Sequence, residues 1–188
     1  MGRWEPDAGG RLQQAAMALY LERGYEDVTV AEIAHSAGLT KRTFFRHFAD
    51  KREVLFAGAP AFQAGVVAAV MAAPGHVAPV DAAVAALAEG GAQLTQYGQF
   101  ARARRVLVAS SPELQERELI KMASLTTAIT GALRDRGTDA LQASLAAQAG
   151  VAVFTNAYDR WIDDGGASDL PALMQQSLDE LRRAIKAV

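Results

Sequence analysis

The chain has 188 residues, 51% of them hydrophobic and 21% charged, and a formal net charge of -2. That length fits one or two domains with an ample core, and that charge excludes a polycation that coats nucleic acid in bulk. The absence of cysteine excludes disulfides and thiolate metal centres and suits a reducing cytoplasm.

Taken in chain order, residues 1–10 (MGRWEPDAGG) show no periodicity and no apolar stretch of signal-peptide type, so they read as an arm. Its Arg3 is either a minor-groove contact or simply an exposed charge. Arg11 to Arg23 forms the first predicted helix, with Leu12, Ala15, Ala16, Leu19 and Tyr20 as its apolar stripe and Gly24 at its end. Thr29 followed by Glu32 has capping-box spacing, and Val30, Ile33, Ala34 and Ala37 then fall on one face of a short helix. Gly38 stands where a left-handed C-cap residue is wanted, and Thr40 caps the next helix. That helix buries Phe44, Phe48 and part of Phe45, leaving Lys41, Arg42, Thr43, Arg46 and His47 on its other face. From Thr40 to Arg52 there are five basic residues against one acid, although residues 1–56 as a whole balance at eight of each sign. Positive charge is therefore local, as in a helix-turn-helix, where one helix props a second that enters a major groove.

Residues 51 to about 73 are predicted as one long, interrupted helix, N-capped by Asp50 and kinked near 56–60 by Gly58-Ala59-Pro60. The longest apolar run, 64–73, is too short to span a bilayer, so no membrane segment is expected. After a loop around His76, a helix over 80–94 carries Gly90-Gly91, which point to close helix contact or to room for a bound molecule. A helix over 99–110 carries Arg102, Arg104 and Arg105. Ser111-Pro112-Glu113 starts the next, predicted to end at Gly137, with Glu113 and Arg117 spaced as an i,i+4 pair. Thr138-Asp139 caps a helix to about Asp163 that is apolar on two faces, one of which is expected to meet a partner. Ser168 is expected to cap the last helix.

The stretch from Gly38 to Leu55, GLTKRTFFRHFADKREVL, resembles the signature of the tetracycline-repressor-like (TetR) family of bacterial transcriptional regulators. The resemblance extends back through Gly24-Tyr25-Glu26 and Thr29–Ala34 to about Arg11, roughly a quarter of the chain. One departure is Phe45, where the family often has a tyrosine whose hydroxyl contacts DNA. The resemblance implies an all-α protein: a three-helix helix-turn-helix domain over 11–56, then a larger antiparallel helical domain over 57–188 for effector binding and dimerisation. It further implies a cytoplasmic homodimer formed through the last two helices, a small apolar or amphipathic effector, and a double-stranded operator that is nearly palindromic.

On this reading Thr29 and Lys51 hold phosphate, and Thr40, Lys41, Arg42 and Thr43 face bases or adjacent phosphates. Arg42 is the expected guanine contact, Phe45 and His47 brace the backbone, and Arg46 serves either role. Tyr97, Phe100, Met122, Thr126, Asn156 and Trp161 are candidates for a mixed effector lining. The arginines at 102, 104 and 105 either hold an anionic effector or pair with Glu113, Glu116 and Glu118. Catalysis, metal and cofactor are not expected: the three histidines are His35, His47 and His76, and there is no G-x-S-x-G, H-E-x-x-H or P-loop motif. The competing class is a helical small-ligand sensor or carrier that does not bind DNA.

Overall fold

The computed structural model describes residues 7–95 and 98–186. Among them are nine α-helices and no strand: α1 (Ala8–Arg23), α2 (Val30–Ser36), α3 (Lys41–His47), α4 (Ala59–Ala72), α5 (Pro79–Leu94), α6 (Gly98–Ser110), α7 (Pro112–Asp135), α8 (Ala140–Asp163) and α9 (Leu170–Lys186). The all-α class expected from the sequence is what the chain adopts.

The chain forms two compact units, and each is drawn from two stretches. The first comprises residues up to Gly58 together with Ala103–Leu119, and the second Ala59–Arg102 together with residues from Ile120 on. The contacts that hold 103–119 in the first unit are long-range in sequence. Ser111 bonds Glu26 and Glu113 bonds Tyr25, 85 and 88 residues apart in sequence.

In the first unit, Leu12, Ala16 and Tyr20 of α1 form the buried side of that helix, and Ile33, Ala34, Phe44 and Phe48 bring α2 and α3 against the same core. Phe44 has no exposed surface and meets the Phe48 ring at a 5.5 Å centroid separation. Gly38 has φ +66°, a left-handed backbone that favours glycine in the α2–α3 turn. The interrupted helix expected from Lys51 takes the form of a short 3-10 turn and a separate α-helix. A 3-10 turn over Glu53–Phe56 is followed by a break, and α4 begins only at Ala59 with Pro60 in its first turn. The interruption falls at residues 57–58, within the expected 56–60. Glu53–Ala72 has mean hydropathy 1.8, apolar enough for a membrane span by composition. Its continuous helical part has 14 residues, about 21 Å at 1.5 Å per residue, against a hydrocarbon core of about 30 Å.

In the second unit, Val66 and Val70 of α4, Ala83 and Leu87 of α5, Leu125 and Ile129 of α7, Gly150 and Phe154 of α8, and Met174 and Leu178 of α9 lie in one buried core. Small residues set its helix spacing. A Cβ on Gly90 would lie 2.9 Å from the Phe62 ring, one on Gly91 3.1 Å from Leu170, and one on Gly150 3.1 Å from Ala83. The glycine pair of α5 therefore marks close helix approach. Gly137 (φ +89°) ends α7's turn and Asp139 caps α8, as the sequence indicates. The last helix differs: Asp169, not Ser168, accepts the Ala172 N–H, while the Ser168 N–H goes to Asp164.

Candidate nucleic-acid interface

The interface candidates lie on α3 and the segments that hold it. Thr29 caps α2 with extended backbone (φ -100°, ψ 156°); its hydroxyl accepts the Glu32 N–H and donates to Glu32 Oε2 at 2.7 Å, and Glu32 Oε2 accepts the Thr29 N–H at 2.8 Å. The box is closed by Arg23, 2.7 Å from Glu32 Oε1. The Thr29 hydroxyl, the Arg23 guanidinium and the Thr29 N–H together hold the Glu32 carboxyl down to about 2. Its folded value lies below its ordinary 4.5, so its contribution to stability is complete above about pH 4.5 and is lost as pH falls towards 2. Glu32→Gln is expected to flatten the acid limb of a stability-versus-pH curve across that window; an unchanged limb would remove the capping box as its cause.

Thr40 repeats the device for α3, accepting the Thr43 N–H at 3.1 Å, with the two hydroxyls 3.0 Å apart. The helix therefore starts where Lys41, Arg42 and Thr43 fall in its first turn. Lys41, Arg42, Arg46 and His47 are exposed and Thr43 is half-buried. Phe45 is 56% exposed and stands edge-on to Phe44, so less of it is buried than the sequence pattern implies.

The charged groups of the first unit separate into two populations. Arg23 pairs with Glu32, Arg52 with Asp50 and Glu113, Arg104 with Glu118, and Arg117 with Glu53. Arg11 donates to the Ala37 carbonyl. Among the described residues of this unit, the cations without any such bond are Lys41, Arg42 and Arg46, all on α3. A surface that leaves three cations unneutralised on one short helix is electrostatically prepared for a polyanion.

Two residues expected to hold phosphate are engaged elsewhere. The Lys51 ammonium donates to the carbonyls of Tyr25, Glu26 and Val28 at 2.9, 3.2 and 3.2 Å and lies 4.2 Å from the centre of the Tyr25 ring. Its three protons are therefore used. Thr29 likewise has both its hydroxyl and its N–H in the capping box. Asp50 does cap the following turn, accepting from the Arg52 and Glu53 N–H groups, and Arg52 holds its carboxyl below the usual range. Sequence reasoning missed the Arg11–Ala37 brace and the Lys51 brace, because neither partner is a side chain.

The effector candidates are dispersed in character. Tyr97 lies outside the described residues; Phe100, Met122 and Thr126 are half-buried; Asn156 is exposed and accepts from the Ser177 hydroxyl at 3.1 Å. Trp161 is buried, with Gly98 and Gly166 packed against it. The second unit has a cavity of about 270 Å³ against α5 and α9, bounded by Val84, Ala88, Met174 and Leu178, and an open one of about 500 Å³ at the α7–α8 turn. None of the effector candidates lines either. Of the three arginines, Arg102 donates to the Gly165 carbonyl, Arg104 to the Leu55 carbonyl and Glu118, and Arg105 is also engaged. Ion pairing and carbonyl bonding thus account for Arg102 and Arg104. The expected Glu113–Arg117 pair is replaced by Glu113–Arg52 and Arg117–Glu53, because the partners presented by 52–53 in the same unit meet them first.

Comparison with known proteins gives two family matches. The family described as bacterial regulatory proteins, tetR family, matches residues 12–57, and the one described as the MftR C-terminal domain matches residues 77–186. The chain is 39% identical over 72 residues to the HTH-type transcriptional regulator TcmR of Streptomyces glaucescens, a stretch covering 38% of this chain and 32% of that protein. The match thus spans about a third of that relative's length. Among solved structures, it is similar to SmeT, the repressor of the Stenotrophomonas maltophilia multidrug efflux pump SmeDEF, with a TM-score of 0.61 and 20% identity over 94% of this chain and 89% of that one. The fold is also similar to that of the transcriptional regulator FadR from Bacillus subtilis in complex with stearoyl-CoA, with a TM-score of 0.63 and 18% identity over 90% and 95% of the two chains. At these identities both structures speak for the fold alone.

Proposed function

The chain belongs to the TetR family of bacterial regulatory proteins, and from that premise we propose that it is a sequence-specific, cytoplasmic, homodimeric transcriptional repressor, released from its operator by a small molecule. One observation carries the reading: the unpaired cations of the described first unit all stand on α3, Lys41 and Arg42 in its capped first turn and Arg46 in its last. Arg42, long and forked in the first turn, is assigned to a guanine edge; Lys41, Thr40 and Thr43 to neighbouring bases or phosphates; Arg46, His47 and the exposed Phe45 ring to the sugar-phosphate backbone. Thr29 and Lys51 are reassigned to support: one caps the prop helix α2, the other gathers the three carbonyls that lead into it.

A homodimer through α8 and α9 is supported by Leu141 and Leu145, 69% and 57% exposed one turn apart on the outer face of α8. Two such side chains adjacent on one helix face form an apolar patch, the kind of surface that marks an interaction site when it is contiguous. A two-fold dimer reads a near-palindromic site with half-sites about 34–36 Å apart, or a multiple of that. The effector is assigned to the helical second unit and to an apolar or amphipathic class, because that unit's interior is aliphatic and aromatic. Selection of bound duplexes from a random pool, with and without cell extract, tests the whole reading. A palindromic consensus whose recovery falls when extract is added is the expected result; a pool that stays random overturns it.

A further inference from the structure

The family match to the reading head ends at residue 57, yet the head's compact unit takes in Ala103–Leu119, the elbow between α6 and α7. That elbow touches both sides of the helix-turn-helix. On the lead-in side, the Ser111 hydroxyl donates to Glu26 Oε1 at 3.1 Å, and the buried Tyr25 hydroxyl donates to Glu113 Oε2 at 3.1 Å. On the exit side, Glu113 Oε1 lies 3.2 Å from Arg52, which itself bonds Asp50 at 2.5 Å. Arg104 donates to the Leu55 carbonyl at 3.1 Å with its guanidinium 4.7 Å from the Phe56 ring centre, and Arg117 pairs with Glu53. Glu113 contacts both sides, one through each carboxylate oxygen.

We propose that the α6–α7 elbow is a working part of the DNA-reading unit, a bracket across the lead-in and exit of the helix-turn-helix, and that Glu113 is a positioning residue for operator recognition. The inference rests on the DNA-binding reading. Its physical route is short. Residues 25–28 run directly into Thr29, the cap of α2, and α2 sets the angle at which α3 is offered. Those residues are held from within by Lys51 on their carbonyls and from outside by the elbow on their side chains. Without Glu113 the Tyr25 hydroxyl, on a side chain only 2% exposed, loses its acceptor, and Arg52 loses one of its two acids. A misaligned α3 still meets phosphate, because Lys41, Arg42 and Arg46 remain, but it no longer aligns with base edges.

The test uses the full-length chain and its selected operator duplex beside a scrambled duplex of equal length. Glu113→Ala is expected to weaken operator binding about tenfold, the scale of one lost charge-assisted hydrogen bond, with scrambled-duplex affinity and salt dependence unchanged. Glu113→Gln keeps an acceptor for Tyr25 and is expected to recover part of the preference. Tyr25→Phe combined with Glu113→Ala is expected to be less than additive, since both remove one bond. Equal losses on the two duplexes, or additive effects, would reduce Glu113 to a stabiliser of the fold and overturn the proposal. If the wild type binds no duplex, the functional reading fails instead. The bracket itself is still read by hydrogen exchange: without DNA, Glu113→Ala is expected to speed exchange of the amides over 25–32, and unchanged protection there refutes it.

Discussion

Replacing Lys41, Arg42 and Arg46 together by alanine is expected to weaken operator binding roughly 100-fold or more, with the salt slope falling by about two to three. All three are exposed and without bonded partners among the described residues, so the folded state loses no contact when they are removed. Circular dichroism and thermal unfolding should therefore match the wild type. The single changes divide the effect. Arg42→Ala should lose about 1–3 kcal/mol of preference for one base pair, while Lys41→Ala should weaken all duplexes alike. Gel shift or fluorescence anisotropy across a salt series measures both quantities. A triple variant that binds as the wild type does would place the interface elsewhere.

Lys51→Met is expected to act on the fold first. Its ammonium gathers three carbonyls at 2.9–3.2 Å and faces the Tyr25 ring. Losing those charge-assisted bonds should destabilise the first unit by about 2–3 kcal/mol. Hydrogen exchange of the α2 and α3 amides reports that loss directly. Operator affinity should fall with the folded fraction, and the salt slope should stay where it was. A variant with wild-type protection and a slope reduced by about one would return Lys51 to the phosphate role.

The difference between these two lysines shows what a linear sequence conveys. Lys41 follows a capping threonine at a helix start and has no neighbour in sequence to neutralise it; its exposure is a local matter, and local patterns are legible. The two threonine caps, Gly38, the buried pair Phe44 and Phe48, and the limits of α7 and α8 are of the same kind. Lys51 also looks like a free cation at a helix start, but its partners are main-chain oxygens 23–26 residues away, and no side-chain pattern marks them. Glu113 and Arg117 show the same limit. Their spacing permits an i,i+4 pair, and only the folded unit reveals better partners in Arg52 and Glu53. At Gly90-Gly91 the sequence offered either close approach or free volume, and the Phe62 and Leu170 side chains decide it. Local chemistry was thus readable, and long-range pairing was not.

The discontinuity of the first unit has a consequence for how the protein is made. A ribosome that has released residues up to Gly58 has supplied the helix-turn-helix but none of Arg104, Ser111, Glu113 or Arg117. At ~5–20 residues per second the missing piece follows only after about 3–12 s. During that interval the Tyr25 hydroxyl lacks Glu113, Glu26 lacks Ser111, and Arg52 lacks one of its two acids. A chain truncated between the two stretches is therefore expected to carry a reading head without its bracket, less protected in limited proteolysis than the same residues in the full-length chain.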